Sequence, residues 1–133
     1  MNKTILITAS LLGILSIILG AFGAHALKAL IPFELQQTFE TGVRYQMYHA
    51  FLLLFVGSTS LIKEKTKKII YYLTVFGILF FSGSIYGLAT NALSSFNFKS
   101  IGFITPIGGL LLILAWVFIG VEFVKLNNKK AIK

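Results

Sequence analysis

Four long, mainly apolar stretches, at 4–24, 42–62, 69–89 and 106–123, occupy most of the 133 residues. Each is close to the roughly 20 residues that a helix needs to cross a hydrocarbon layer about 30 Å thick. A water-soluble core of this size would lack polar residues to cover it: 56% of the chain is hydrophobic and 12% is charged, so lipid has to serve as solvent for most of the surface. Membrane β-barrels alternate apolar and polar residues, whereas the run 110–117 is apolar at every position; helices are the spanning structure it specifies. The expectation is an all-α, multi-pass protein of the cell membrane: one domain over residues 1–133, folded as an antiparallel bundle of four transmembrane helices.

The net charge of +8 is explained by where it falls. Lys3, then Lys63, Lys65, Lys67 and Lys68, then Lys125, Lys129, Lys130 and Lys133 lie on one side of the helix map. Lys28, Arg44 and Lys99 lie on the other. The positive-inside rule therefore puts both termini and the middle loop in the cytoplasm, against anionic headgroups. The basic segments are too short, and too poor in interleaved aromatic residues, to bind nucleic acid. Having no cysteine, the chain cannot form disulfides, ligate iron–sulfur clusters or use a thiol nucleophile.

The first stretch also has features of a signal peptide, with Lys3, an apolar run and the small-residue tripeptide Ala24-His25-Ala26. Against removal stands a stripe of small residues at Ala9, Gly13, Ser16, Gly20 and Gly23, which lets another helix come close. The stripe fits packing within one chain as well as between copies in a homo-oligomer. Between the first two spans, 33–41 mixes Glu34, Gln36, Gln37 and Glu40 with Leu35 and Phe39. This predicts an amphipathic segment at the outer surface that runs into the second span, with Glu40 and Arg44 placed to pair four residues apart.

The middle loop, 63–68, is short, and Tyr71 and Tyr72 after it suit the aromatic belt. Gly83 and Gly87 have the GxxxG spacing of helix packing. Thr105-Pro106 reads as an N-cap followed by proline at the first helical position, and Gly108 and Gly109 in that turn call for close packing.

Ionisable residues at membrane depth are the candidates for function, and the chain offers Arg44, His49 and His25. Glu122, beside Lys125, is placed to reach water at the cytoplasmic end. Gly42, Gln46, His49 and Leu53 share a helix face directed into the bundle, with Tyr45 one turn before His49. His49 reads first as a neutral imidazole bonded to a tyrosine or a backbone carbonyl. His25 and His49 differ in depth by about 10 Å on regular helices, too much to share a metal or a haem, and no cofactor is expected. Arg44 with Tyr45 and Tyr48 suits an interfacial anchor, or a site for an anionic headgroup or flat ring.

Four strings, Gly20-Ala21-Phe22-Gly23-Ala24-His25-Ala26-Leu27-Lys28, Tyr45-Gln46-Met47-Tyr48-His49-Ala50, Phe81-Ser82-Gly83-Ser84-Ile85-Tyr86 and Thr105-Pro106-Ile107-Gly108-Gly109, occur in this order with Trp116 after them. Together they closely resemble domain of unknown function family 423, a group of small integral membrane proteins. Ala26 and Gly42 stand where the family pattern has glycine and alanine, exchanges that remain among small residues. The resemblance implies a retained first helix and four spans, and it brings no activity. All four strings lie at the outer ends of the spans. The expected site is one outward-facing pocket lined by His25, Arg44, Tyr45, Tyr48, His49 and Tyr86. It would bind a small amphipathic molecule or a partner helix without catalysis, the alternative being a small transporter or proton pathway through His49.

Overall fold

The computed structural model describes residues 1–93, 97, 100 and 102–126, which form helices joined by turns, bends and short extended pieces. Four long helices follow one another: α1 (Asn2–His25), α2 (Phe33–Ser58), α3 (Glu64–Ala89) and α4 (Ile104–Val124). Short 3₁₀ turns, Leu27–Ala29 and Asn91–Leu93, follow α1 and α3. Lys99, Ile101, Lys129, Lys130 and Lys133, which the sequence reading assigned to loops and tail, lie outside the described residues.

The 33–41 segment is continuous with the second span. Pro32, in extended conformation, is the N-cap of a single 26-residue helix, and its carbonyl accepts the amides of Leu35 and Gln36, both at 3.0 Å. Among the described residues, three helical stretches are long and apolar enough to cross a membrane, Asn2–Ala29, Glu64–Ala89 and Ile104–Val124. Helix α2 lies outside that group because Arg44, Gln46 and His49 carry its polar character past the first turns. The loop after α2 is 59–63 and not 63–68, because α2 ends at Ser58 and Glu64 to Lys68 already form the first turns of α3. Helix α4 also starts earlier than expected. Its N-cap is Phe103, without a side-chain cap, so Thr105 is inside the helix, and its hydroxyl bonds Ser84 of α3. Pro106 remains in the first turn, where its missing N–H leaves no partner unsatisfied.

Successive helices meet with opposite ends together. Gly57 of α2 lies against Ile5 and Leu6 of α1, and Gly23 of α1 against Phe39 of α2. Gly42 lies against Ile85 and Tyr86 of α3, while Thr66 of α3 bonds Glu122 of α4. Extensive packing joins α1 to α2, α2 to α3 and α3 to α4, with nothing comparable between α1 and α4. The outer pair therefore flanks a central α2–α3 pair, which buries nine and eleven residues against four in α1 and five in α4. Side-chain bonds complete the arrangement from Thr8 to Tyr71 at 2.8 Å and from Trp116 to His49 at 3.2 Å.

The exterior is apolar, and polar groups are held inside among apolar core residues such as Leu53, Val56 and Ile70. Ser16, Gln46, His49, Lys67, Thr74 and Ser82 are buried, while Ile17 of α1 is 67% exposed and Ile113 of α4 is 60% exposed. Water would strongly disfavour such a surface, and lipid accommodates it. In α1 the buried residues are Ile5, Ala9, Ser16 and Gly23, so much of the small-residue stripe faces α2, as its spacing predicts.

Glycine here supplies room, since no glycine among the described residues has positive φ. A Cβ on Gly108 would overlap the backbone nitrogen of Phe81 and lie 2.8 Å from the Phe80 carbonyl carbon; one on Gly77 would lie 2.6 Å from Leu112. The expected close packing at Gly108 is thus a backbone-to-backbone contact between α3 and α4. The GxxxG reading fares differently, because a Cβ on Gly83 would meet nothing within 4 Å.

At the end opposite the sequence motifs, Glu122 is buried instead of reaching for water. Its carboxylate accepts from the Thr66 hydroxyl at 2.8 Å and the Lys63 amide at 3.4 Å. It thereby caps the N-terminus of α3 from a neighbouring helix, where a negative charge is favoured. Lys67, read from the sequence as a loop cation, is 1% exposed and donates to the Asn2 side chain at 3.1 Å, with Glu64 at 3.6 Å.

Replacing Gly108 with alanine is expected to destabilise the protein by about 1–3 kcal/mol, because backbone atoms cannot move aside. Gly83→Ala should lie within about 0.5 kcal/mol of the parent; unfolding in mixed micelles compares the two. Glu122→Ala should cost about 1–2 kcal/mol through loss of the cap. It should also speed hydrogen exchange at the amides of the first turn of α3 relative to those of α1.

Candidate functional site

Two polar groups occupy opposite sides of the α2–α3 pair. On the α1 side, Gln46 bridges three helices. Its amide nitrogen donates to the Leu12 carbonyl of α1 at 3.0 Å, and its amide oxygen accepts the Tyr86 hydroxyl of α3 at 2.6 Å. Ser16 also donates to the Leu12 carbonyl, at 2.8 Å, and Ser82 donates to the Gly42 carbonyl at 2.7 Å. A cavity of about 340 Å³ lies over this group, lined by Leu12, Leu15, Gln46, Ser82, Gly83 and Tyr86 among others.

On the α4 side is His49, 3% exposed. Its Nδ1 lies 2.7 Å from the Tyr45 carbonyl, and the Trp116 indole N–H points to its Nε2. A carbonyl only accepts and an indole N–H only donates. The imidazole is therefore neutral, with its proton on Nδ1. The predicted bond to a backbone carbonyl is present, and the predicted inward face is buried at Gly42, Gln46, His49 and Leu53. Tyr45 packs edge-on against Tyr48, with ring centres 5.5 Å apart, and also contacts Phe81 at 5.1 Å. A cleft of about 300 Å³ opens here between α2 and α4, bounded by Tyr45, His49, Phe81, Leu112, Ile113 and Trp116.

The six residues expected to line one pocket are thus divided. Tyr45, Tyr48 and His49 come together on the α4 side. Tyr86 is turned to the α1 side, where its ring meets Phe39 at 4.9 Å. Arg44 is exposed and pairs with Glu40 at 3.2 Å, as their spacing predicts. His25 is exposed at the end of α1 and lines neither cleft. The division follows from the packing order: α1 packs on α2 and α4 on α3, so the two clefts form against different outer helices. Gln46 and Trp116 were absent from the candidate set. The signal for Gln46 was an amide on the same face as His49; for Trp116 it was the one tryptophan of the chain lying well inside a span, away from the interface this residue type prefers.

A closely packed helical chain with an apolar exterior and a buried hydrogen-bonded interior is an integral membrane protein. The model of the family described as "Protein of unknown function (DUF423)" matches residues 19–109, and the chain belongs to that family. It is 39% identical to the UPF0382 membrane protein YwdK of Bacillus subtilis over 128 residues, covering 92% of this chain and 98% of that one. A UPF0382 membrane protein of Staphylococcus saprophyticus is 37% identical, with 88% of this chain and 93% of the relative covered. The UPF0382 inner membrane protein YgdD of Escherichia coli is 30% identical, with 96% and 95% covered. No solved structure matches the chain. The family match contains Gln46, His49, Tyr86 and Gly108, and it stops short of Trp116.

Nitrogen-15 NMR of histidine-labelled protein should report a neutral His49 with Nε2 as the unprotonated nitrogen. Trp116→Phe should shift that resonance and cost about 0.6 kcal/mol, the average for a hydrogen bond between membrane helices. An Nε2 resonance unmoved by the substitution would contradict the bond.

Proposed function

We propose that this protein crosses the membrane four times, with neighbouring helices antiparallel and both termini cytoplasmic, and that it holds a small amphipathic molecule in the outer-leaflet half of its α2–α4 cleft. The observation that carries this reading is the cleft's composition. Apolar walls from Phe81, Leu112, Ile113 and Trp116 meet a polar edge at Tyr45, whose hydroxyl has no hydrogen-bond partner among the described residues. Such a lining suits a ligand that is mostly apolar and carries one polar group. Arg44 and Tyr48, on the same stretch of α2, suit an anionic or aromatic headgroup at the water boundary.

His49 acts in this reading by shaping the cleft. Both of its nitrogens are committed to bonds within the protein, which disfavours its use as a base or proton carrier. A non-catalytic binding role is therefore better supported than an enzyme or a pathway through the imidazole. The crossing of α2 is supported by its 26 residues, about 39 Å at 1.5 Å per residue, and by the burial of Gln46 and His49 against α1, α3 and α4.

Native mass spectrometry from nanodiscs should show a bound amphipathic molecule that disappears when Ile113→Trp fills the cleft, with helix content unchanged. In cells, His49→Ala and Arg44→Ala should abolish an envelope phenotype without lowering protein abundance; a parallel fall in abundance would instead assign them a structural role. Since the native chain has no cysteine, single substitutions report orientation cleanly. Leu30→Cys should react with an impermeant maleimide in intact cells and Lys65→Cys only after permeabilisation. The reverse pattern would overturn the orientation.

A further inference from the structure

A further groove lies away from both polar groups, along the seam of α3 and α4. It has a volume of about 530 Å³ and is lined by Lys68, Ile69, Tyr72, Leu73, Phe76, Phe80 and Leu111. One wall is a ladder of rings at four-residue spacing on α3. Tyr72 stacks on Phe76 with centres 6.5 Å apart, and Phe76 meets Phe80 at 6.3 Å. Leu111 of α4 forms the facing side. From Lys68 to Phe80 the helix rises about 18 Å at 1.5 Å per residue. One leaflet of hydrocarbon, half of about 30 Å, is nearly the same depth.

Polarity along the groove changes in one direction. Lys68 is exposed at the mouth, followed by the Tyr72 ring at 46% exposure, and every lining residue beyond them is apolar. The neighbouring cation, Lys67, is already engaged inside the fold by Asn2 and Glu64. That leaves Lys68 as the lining residue that carries a charge. We propose that this groove is a binding site for an anionic phospholipid of the cytoplasmic leaflet, with its phosphate at Lys68 and one acyl chain along the Tyr72–Phe76–Phe80 ladder. A second copy of the chain is a poorer occupant, because a two-fold contact through this groove would set Lys68 against Lys68.

The leaflet depends on the orientation proposed above, but the groove does not, and maleimide labelling reads the orientation separately. The test uses full-length protein in nanodiscs containing phosphatidylglycerol and phosphatidylcholine. Native mass spectrometry counts retained lipids, and a phosphatidylglycerol with a diazirine in its acyl chain marks the residues it touches. Phosphatidylglycerol should be retained in preference, and the label should fall on Tyr72, Phe76, Phe80 or Leu111. Lys68→Gln should reduce the preference by about fivefold, the effect of one lysine at an anionic surface. Lys65→Gln, an exposed lysine of the same turn that does not line the groove, should leave it nearly unchanged. Leu111→Trp should exclude the label; if that variant fails to fold, the two lysine variants still decide. Equal losses from Lys65→Gln and Lys68→Gln would show general attraction to the surface and overturn the proposal. So would labelling outside the groove, or crosslinks to a second copy in place of lipid.

Discussion

The fold depends on how closely α3 and α4 can approach. Helices already in lipid gain little from burying apolar side chains against each other, since acyl tails are equally apolar; close packing and interhelical hydrogen bonds hold them instead. Gly108 brings α4 onto the backbone of α3 at Phe80 and Phe81, and Gly77 admits Leu112 a little over one turn away. This approach sets the distance at which Thr105 reaches Ser84 and Thr66 reaches Glu122. Gly42 does the same for α2 against Tyr86, bringing the Ser82 hydroxyl to the Gly42 carbonyl. Small residues and polar bonds therefore act at the same places, and each requires the other.

Helices α1, α3 and α4 were legible in the sequence because lipid imposes a simple rule, about 20 apolar residues per crossing, and α2 was legible from its apolar second half and amphipathic start. Their neighbours were less legible. Both Gly83 and Gly108 read as packing glycines, yet only Gly108 touches another helix, because which side of a helix meets a partner depends on the order in which the helices assemble. Gly42, Gln46, His49 and Leu53 were recognisable as an inward face because all four share one stripe on a single helix. That Tyr86 turns to one side of α2 and His49 to the other is a property of three helices, and no spacing within one segment records it. Glu122 and Lys67 read as solvated charges from their places near the ends of helices. Their partners, Thr66 and Asn2, lie 56 and 65 residues away in the chain.

The family relationship names no activity. Relatives described only as membrane proteins align over nearly the whole chain, so the likeness takes in the helices together and not one segment alone. Within the fold, Gln46 acts where an apolar residue would pack as well. Its two bonds join α1, α2 and α3 at one level, and an amide held on both sides fixes the rotation of each helix more strictly than aliphatic packing can.

The two ends of the molecule differ in the chemistry they present. Toward the cytoplasm, under the proposed orientation, charge is used internally: Glu122 caps α3, and Lys67 ties α3 to the start of α1, so both ions are spent on holding helices together. At the outer end the buried groups are neutral, and the ionised Arg44–Glu40 pair stays on the surface at 57% and 49% exposure, where such a pair contributes at most about 1 kcal/mol. A structural role alone would not require Tyr45 to border an open cleft when an aliphatic side chain in its place would close it more completely. Tyr45 is 41% exposed, and its hydroxyl, without a partner among the described residues, sits at the rim of an apolar cleft where a polar headgroup could meet it; that combination is the physical ground for the ligand site proposed at the outer end of α2.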